Sequence, residues 1–167
     1  MEQEKLINEK KSWLFEQIRS EYAALAKKNR IFFWILCAIF GIFLIQGVLQ
    51  LTGTLEPFDT KKELSYIIFY VALLMGGLYT MIASNKMAKA ETPENLLVTY
   101  NKIKKIGVWT CIIVVALLVI SMFLKDGFSK SNTFISCLLL AWISIVFFIA
   151  YSRDNQIKKL RDLIQKS

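Results

Sequence analysis

The chain has no histidine anywhere in its 167 residues. That removes imidazole from metal ligation and from acid–base chemistry at neutral pH. Three cysteines occur, Cys37, Cys111 and Cys137, each inside an apolar stretch and with no CxxC pair. They read as free, buried thiols rather than a disulfide framework or a metal site. Counted from the ends of those stretches, Cys37 and Cys111 sit toward one membrane face and Cys137 toward the other.

The largest deficit is of charge in four blocks. Residues 31–55, 64–85, 106–124 and 131–152 contain no Asp, Glu, Lys or Arg. Ion-coupled carriers, proton relays and voltage sensors need ionisable groups within the membrane, so those classes are disfavoured. The sequence also lacks a P-loop, a Gly-rich phosphate cradle and any nucleophile or metal-protease motif. An enzyme is not expected, and no cofactor or metal is expected either.

What is present is apolar: 55% of the residues are hydrophobic and the mean hydropathy is +0.45. A spanning helix needs about 20 apolar residues at roughly 1.5 Å each to cross about 30 Å of hydrocarbon. Each uncharged block supplies that length. The expected fold is therefore an all-α integral membrane protein, a four-transmembrane-helix antiparallel bundle with spans near 31–52, 64–84, 106–124 and 133–152. The first block begins only at Ile31, after a segment holding five Glu, and lacks an A-x-A-like site, so it reads as a retained anchor.

The net charge of +8 reflects topology rather than nucleic acid. Of the 21 Lys and Arg, 17 fall in residues 1–30, 84–105 and 153–167, and four fall in the segments 53–63 and 125–132. The positive-inside rule then predicts a multi-pass cell-membrane protein with both termini and the middle segment in the cytoplasm. Basic residues beside spans also predict contact with anionic lipid at the inner face. Short loops and a Lys/Ile-rich composition suit a bacterial inner membrane.

Residues 1–30 read as a cytoplasmic amphipathic helix. Ile7, Leu14, Ile18, Tyr22 and Leu25 gather on one face, interrupted by Lys11. Such a helix either lies in the membrane interface or pairs with another helix. It runs through Lys27-Lys28-Asn29-Arg30 into Ile31-Phe32-Phe33-Trp34, cations followed by aromatics at an inner interface. Lys102-x-x-Lys105-Ile106-x-x-Trp109 echoes Lys27-x-x-Arg30-Ile31-x-x-Trp34 at the mouth of the third span, which shared interface chemistry explains better than duplication.

The breaks are legible. Gly53 and Glu56-Pro57 end the first helix, and Thr60 with Glu63 has capping-box spacing for the second, which carries Tyr66 and Tyr70 near the outer interface. Thr92-Pro93-Glu94 supplies an N-cap, a first-turn proline and a first-turn acid for the third. Helix two is expected to run to about Ala90, and helix three to run through Leu96, Leu97, Tyr100 and Ile103 into the membrane. Gly127 marks the last external turn, and residues 153–167 read as a basic helical tail along Ile157, Leu160 and Ile164.

Two constellations lie inside the spans. Ala72, Gly76, Thr80 and Ser84 form a small-residue stripe, a helix-packing face or an oligomer seam. Gln46, Gln50, Ser121 and Ser136 fall at similar depth in the outer third, and are expected to form a hydrogen-bonded polar layer or a shallow cavity. Trp142 sits near mid-span, where its indole N–H needs an acceptor.

The leading functional expectation is a non-catalytic, membrane-anchored subunit or regulator that binds a protein partner through its cytoplasmic helices. A homo-oligomeric channel or membrane-permeabilising effector is the second. A binder or carrier of a lipid or small neutral molecule is the third.

Overall fold

The computed structural model describes residues 2–53, 60–125 and 154–166. The fourth apolar block with Ser136, Cys137 and Trp142, the Glu56-Pro57 turn and Gly127 lie outside the described residues. Everything regular among the described residues is helical: α1 (Glu2–Leu51), α2 (Thr60–Ala88), α3 (Pro93–Lys125) and α4 (154–166). The first three are long and apolar enough to cross a membrane.

α1 is one helix of 50 residues, which at a rise of 1.5 Å per residue extends about 75 Å. No proline interrupts it, and its first glycine is Gly41. Residues 2–30 and the first apolar block are therefore a single rod. It stops where Gly53 turns into the left-handed region at φ 74° and donates its N–H to the Gln50 carbonyl at 3.1 Å. That is half of a Schellman-type stop, at a backbone angle a side-chain-bearing residue adopts at a cost.

The middle break is built as its residues dictate. Thr92 Oγ1 accepts from Asn95 N at 3.1 Å, and Leu96 N donates to the Thr92 carbonyl at 3.0 Å. Pro93 occupies the first helical position, where its missing N–H goes unneeded. α2 ends at Ala88, followed by a turn through Lys89 and Ala90.

α2 lies between α1 and α3, which scarcely touch each other. On α1 the face toward α2 repeats every seven residues: Asn29, Leu36, Phe43 and Gln50 meet Ser84, Gly77, Tyr66 and Glu63. These pairs run in opposite order along the two helices, so α1 and α2 are antiparallel. A seven-residue repeat keeps one face toward the partner, because it completes two turns to within about 20°. Toward the N-terminus the same seam continues through Tyr22, Ile18, Phe15 and Leu14.

The seam changes partners along its length. At the polar end, Leu14, Phe15 and Ile18 of α1 pack with Met87 of α2, Ala90 just after its end, Leu96 of α3, and Ile157 and Leu160 of α4. Ile18, Met87, Leu96, Ile157 and Leu160 are at most 1% exposed. Leu14, Ile18 and Tyr22 of the N-terminal stripe thus pack against other helical segments of the chain. In the apolar section the inner contact is smaller, with Ala72 against Val114 and Leu118, while Ile42, Trp34 and Phe123 face outward.

Candidate functional site

Among the described residues, the chemistry of the apolar section consists of a few neutral polar contacts. Without water, each unpaired polar group there is costly, so the contacts fix which helix faces meet. Asn29 donates to the Thr80 carbonyl at 3.1 Å and to Ser84 Oγ at 3.2 Å. Tyr79 donates its hydroxyl to the Ile103 carbonyl at 2.9 Å, tying α2 to α3. Gly107 makes that contact fit, since a Cβ there would overlap the Tyr79 hydroxyl.

The small-residue stripe does not present one surface. Ala72 is fully buried toward α3, whereas Thr80 and Ser84 serve Asn29 of α1. Residues four apart advance about 400° around a helix, so a strict four-residue repeat precesses about 40° per step. Over the three steps from Ala72 to Ser84 it turns about 120°, from the α3 face to the α1 face. The close approach between α1 and α2 falls at Gly77, where a Cβ would lie 3.0 Å from Leu36 Cδ1; at Gly76 nothing comes within 4 Å.

The expected polar layer divides in a similar way. Ser121 is buried, but it pairs with Ser65: Ser65 Oγ donates to the Ser121 carbonyl at 2.6 Å, and Ser121 Oγ donates to the Ser65 carbonyl at 2.9 Å. Gln50 donates to Glu63 Oε1 at 3.3 Å, and its own Oε1 is buried without a partner among the described residues. Gln46 is exposed, lying about 40° around α1 from Gln50 and about 60° from Phe43 of the seam. Depth groups these residues, but the angle around each axis assigns their partners. Glu63, expected to reach back to Thr60, is 8% exposed and turned toward α1. Cys37 and Cys111 are free and half-buried.

At the polar end a charged knot joins α3 to the start of α4. Asp154 accepts from the Tyr100 hydroxyl at 2.8 Å and from Lys104 Nζ at 3.0 Å, while Lys158 reaches its other oxygen at 3.5 Å. Arg161 adds a bond to Asn101 at 3.4 Å. The Lys104 ammonium and the Tyr100 hydroxyl hold the Asp154 carboxyl below the usual carboxylate range. Burial first, and then the bond to Asp154, push the Tyr100 phenol far above its ordinary value. The sequence offers Tyr100 only as an apolar-stripe residue, and its pairing with Asp154 is a contact across 54 positions.

Outward from this packed end stand large apolar side chains that the core leaves uncovered. Trp13 is 68% exposed and Leu6, seven residues before it on the same face, is 52% exposed. Trp13 lies 18 residues before Ile31, so it stands about 27 Å along α1 from the first apolar block. Among the described residues no cluster of three or more acidic, Cys or His side chains could hold a metal. No family model matches the chain, and neither a curated protein nor a solved structure is similar to it.

Proposed function

We propose that this protein is a non-catalytic, membrane-anchored subunit or regulator that binds a protein partner through the polar ends of its helices. In this reading a four-span antiparallel bundle holds both termini in the cytoplasm, as the 17-to-4 distribution of Lys and Arg supports. The observation that carries the reading is Trp13, 68% exposed on a bundle whose inner face is already closed. A tryptophan about 27 Å from the first span is too far along the helix to belong to an interfacial aromatic belt. Buried aromatic anchors supply much of the energy of protein interfaces, and Trp is the most enriched of them.

The test uses the full-length protein in its own membranes. A photo-crosslinking residue at position 13 should capture a defined protein, and Trp13→Ser should lose the same protein from a detergent pull-down. The melting temperature of Trp13→Ser should stay near that of the wild type. Recovery of the same proteins by Trp13→Ser and wild type, with no specific cross-link, would sink the reading.

A further inference from the structure

The echo between Lys27-x-x-Arg30-Ile31-x-x-Trp34 and Lys102-x-x-Lys105-Ile106-x-x-Trp109 becomes a geometric match in the folded chain. All eight of these residues are exposed, with Ile31 and Ile106 at 56%, Trp34 at 65% and Trp109 at 62%. Positions i, i+3, i+4 and i+7 fall within an arc of about 100°, so each set forms one stripe about 10 Å tall. Both stripes lie on the side of their helix turned away from α2, opposite Asn29 on α1 and opposite Gly107 on α3.

They also stand level with each other. Asn29 packs on Thr80 and Ser84, while Tyr79 packs on Ile103 and Gly107, so the same stretch of α2 sets the height of both stripes. α1 and α3 run in the same direction, so in each stripe the cations stand at the polar end and the tryptophan toward the apolar section. Lys27, Arg30, Lys102 and Lys105 are paired with no carboxylate among the described residues. The neighbouring Lys104, by contrast, is held by Asp154.

We propose that these two stripes are equivalent binding sites for the headgroup of an anionic phospholipid, one on α1 and one on α3. The paired cations, one helical turn apart, take the phosphate. The tryptophan lies at the level of the glycerol esters, where its indole N–H has acceptors, and the isoleucine lies against the upper acyl chain. Two cations with no counter-ion among the described residues, set directly above exposed apolar side chains, fit a ligand with an anionic head and an apolar tail. A free anion would leave Ile31, Trp34, Ile106 and Trp109 without a role.

The test is native mass spectrometry of the full-length protein in detergent, titrated with dioleoyl phosphatidylglycerol or dioleoyl phosphatidylcholine. The wild type should retain two molecules of phosphatidylglycerol in preference to phosphatidylcholine. Lys27→Gln with Arg30→Gln should lose one, Lys102→Gln with Lys105→Gln the other, and the fourfold variant both. At roughly 1 kcal/mol per cation the affinity at each altered site should fall about thirtyfold. Lys27→Arg with Lys102→Arg should keep both sites, and Lys5→Gln with Lys10→Gln should leave binding unchanged. Equal retention of the two lipids, unchanged stoichiometry in either double variant, or displacement of the lipid by millimolar inorganic phosphate would overturn the proposal.

Discussion

The two ends of α1 belong to regions with opposite packing logic. Around Ile18 the helix meets large apolar side chains from three other helical segments, and five residues of that cluster are at most 1% exposed. Around Phe43 it meets α2 through two tyrosine rings, 5.1 and 6.0 Å away, while Ile42, Leu44 and Ile45 next to it are at least half exposed. The first arrangement suits water, which drives apolar surface inward. The second suits lipid, which solvates leucine as well as a protein core does and leaves close approach and hydrogen bonds to choose the contacts. One uninterrupted helix therefore carries one seam read in two solvents.

The sharpest break of that comparison comes from cutting leucine in both regions. Leu96→Ala and Leu160→Ala at the polar end should cost about 2–5 kcal/mol, the range for large-to-small changes in a water-driven core. Leu118→Ala is nearly as buried, at 4% exposed, yet should cost less than half as much because no transfer from water is lost. Thermal unfolding in detergent, followed by circular dichroism, checks this; equal losses would break the comparison.

Next in size is Gly107→Ala, whose new methyl would displace the Tyr79 hydroxyl and strip the Ile103 carbonyl of its bond. A loss of about 1–3 kcal/mol is expected, the usual range for overpacking. Gly76→Ala, with open space around it, should change stability by less than about 0.5 kcal/mol. If the two substitutions behave alike, close approach is not what organises the apolar section.

Tyr100→Phe probes the knot at the polar end and should cost about 1 kcal/mol at neutral pH. Asp154 is held below its ordinary pKa, so its contribution is present above the unfolded carboxylate value of about 3.9 and fades as pH falls through the lower folded value. The Tyr100 phenol is raised, so its contribution is full below about pH 10 and declines as pH rises beyond it. A pH series of melting temperatures should thus bring Tyr100→Phe and wild type together at both extremes. The smallest loss of a contact belongs to Ser65→Ala, about 0.6 kcal/mol in a membrane-like setting and just above the change expected of Gly76→Ala, which chemical unfolding in mixed micelles can resolve against wild type.

How much of this was legible in the sequence follows from where the pattern has contrast. Leu14, Ile18 and Tyr22 stand out because charged residues surround them, as do Ile157 and Leu160 on the tail, and all five lie in or against the polar-end core; that the two stripes meet is not legible from either alone. Thr92 and Pro93 announced the middle break because their backbone demands are specific. From Ile31 onward almost every position is apolar, so the same seven-residue seam continues unseen through Leu36 and Phe43. Polar residues in that stretch reveal depth but not facing. For that reason Ser121 was grouped with Gln46, although its partner is Ser65. Asn29 looked like part of a basic boundary, yet it is the residue that docks α1 on α2.

The unbroken length of α1 has a mechanical consequence. With no hinge between the Trp13 region and the first apolar block, the helix acts as a lever whose fulcrum is the seam beside Asn29. Over the 18 residues from Ile31 back to Trp13, a tilt of about 10° in the apolar half displaces Trp13 sideways by about 5 Å, together with the cluster packed on Leu14, Phe15 and Ile18. The same stiffness works in reverse: a load applied at Trp13 reaches the buried half as torque rather than being absorbed on the way.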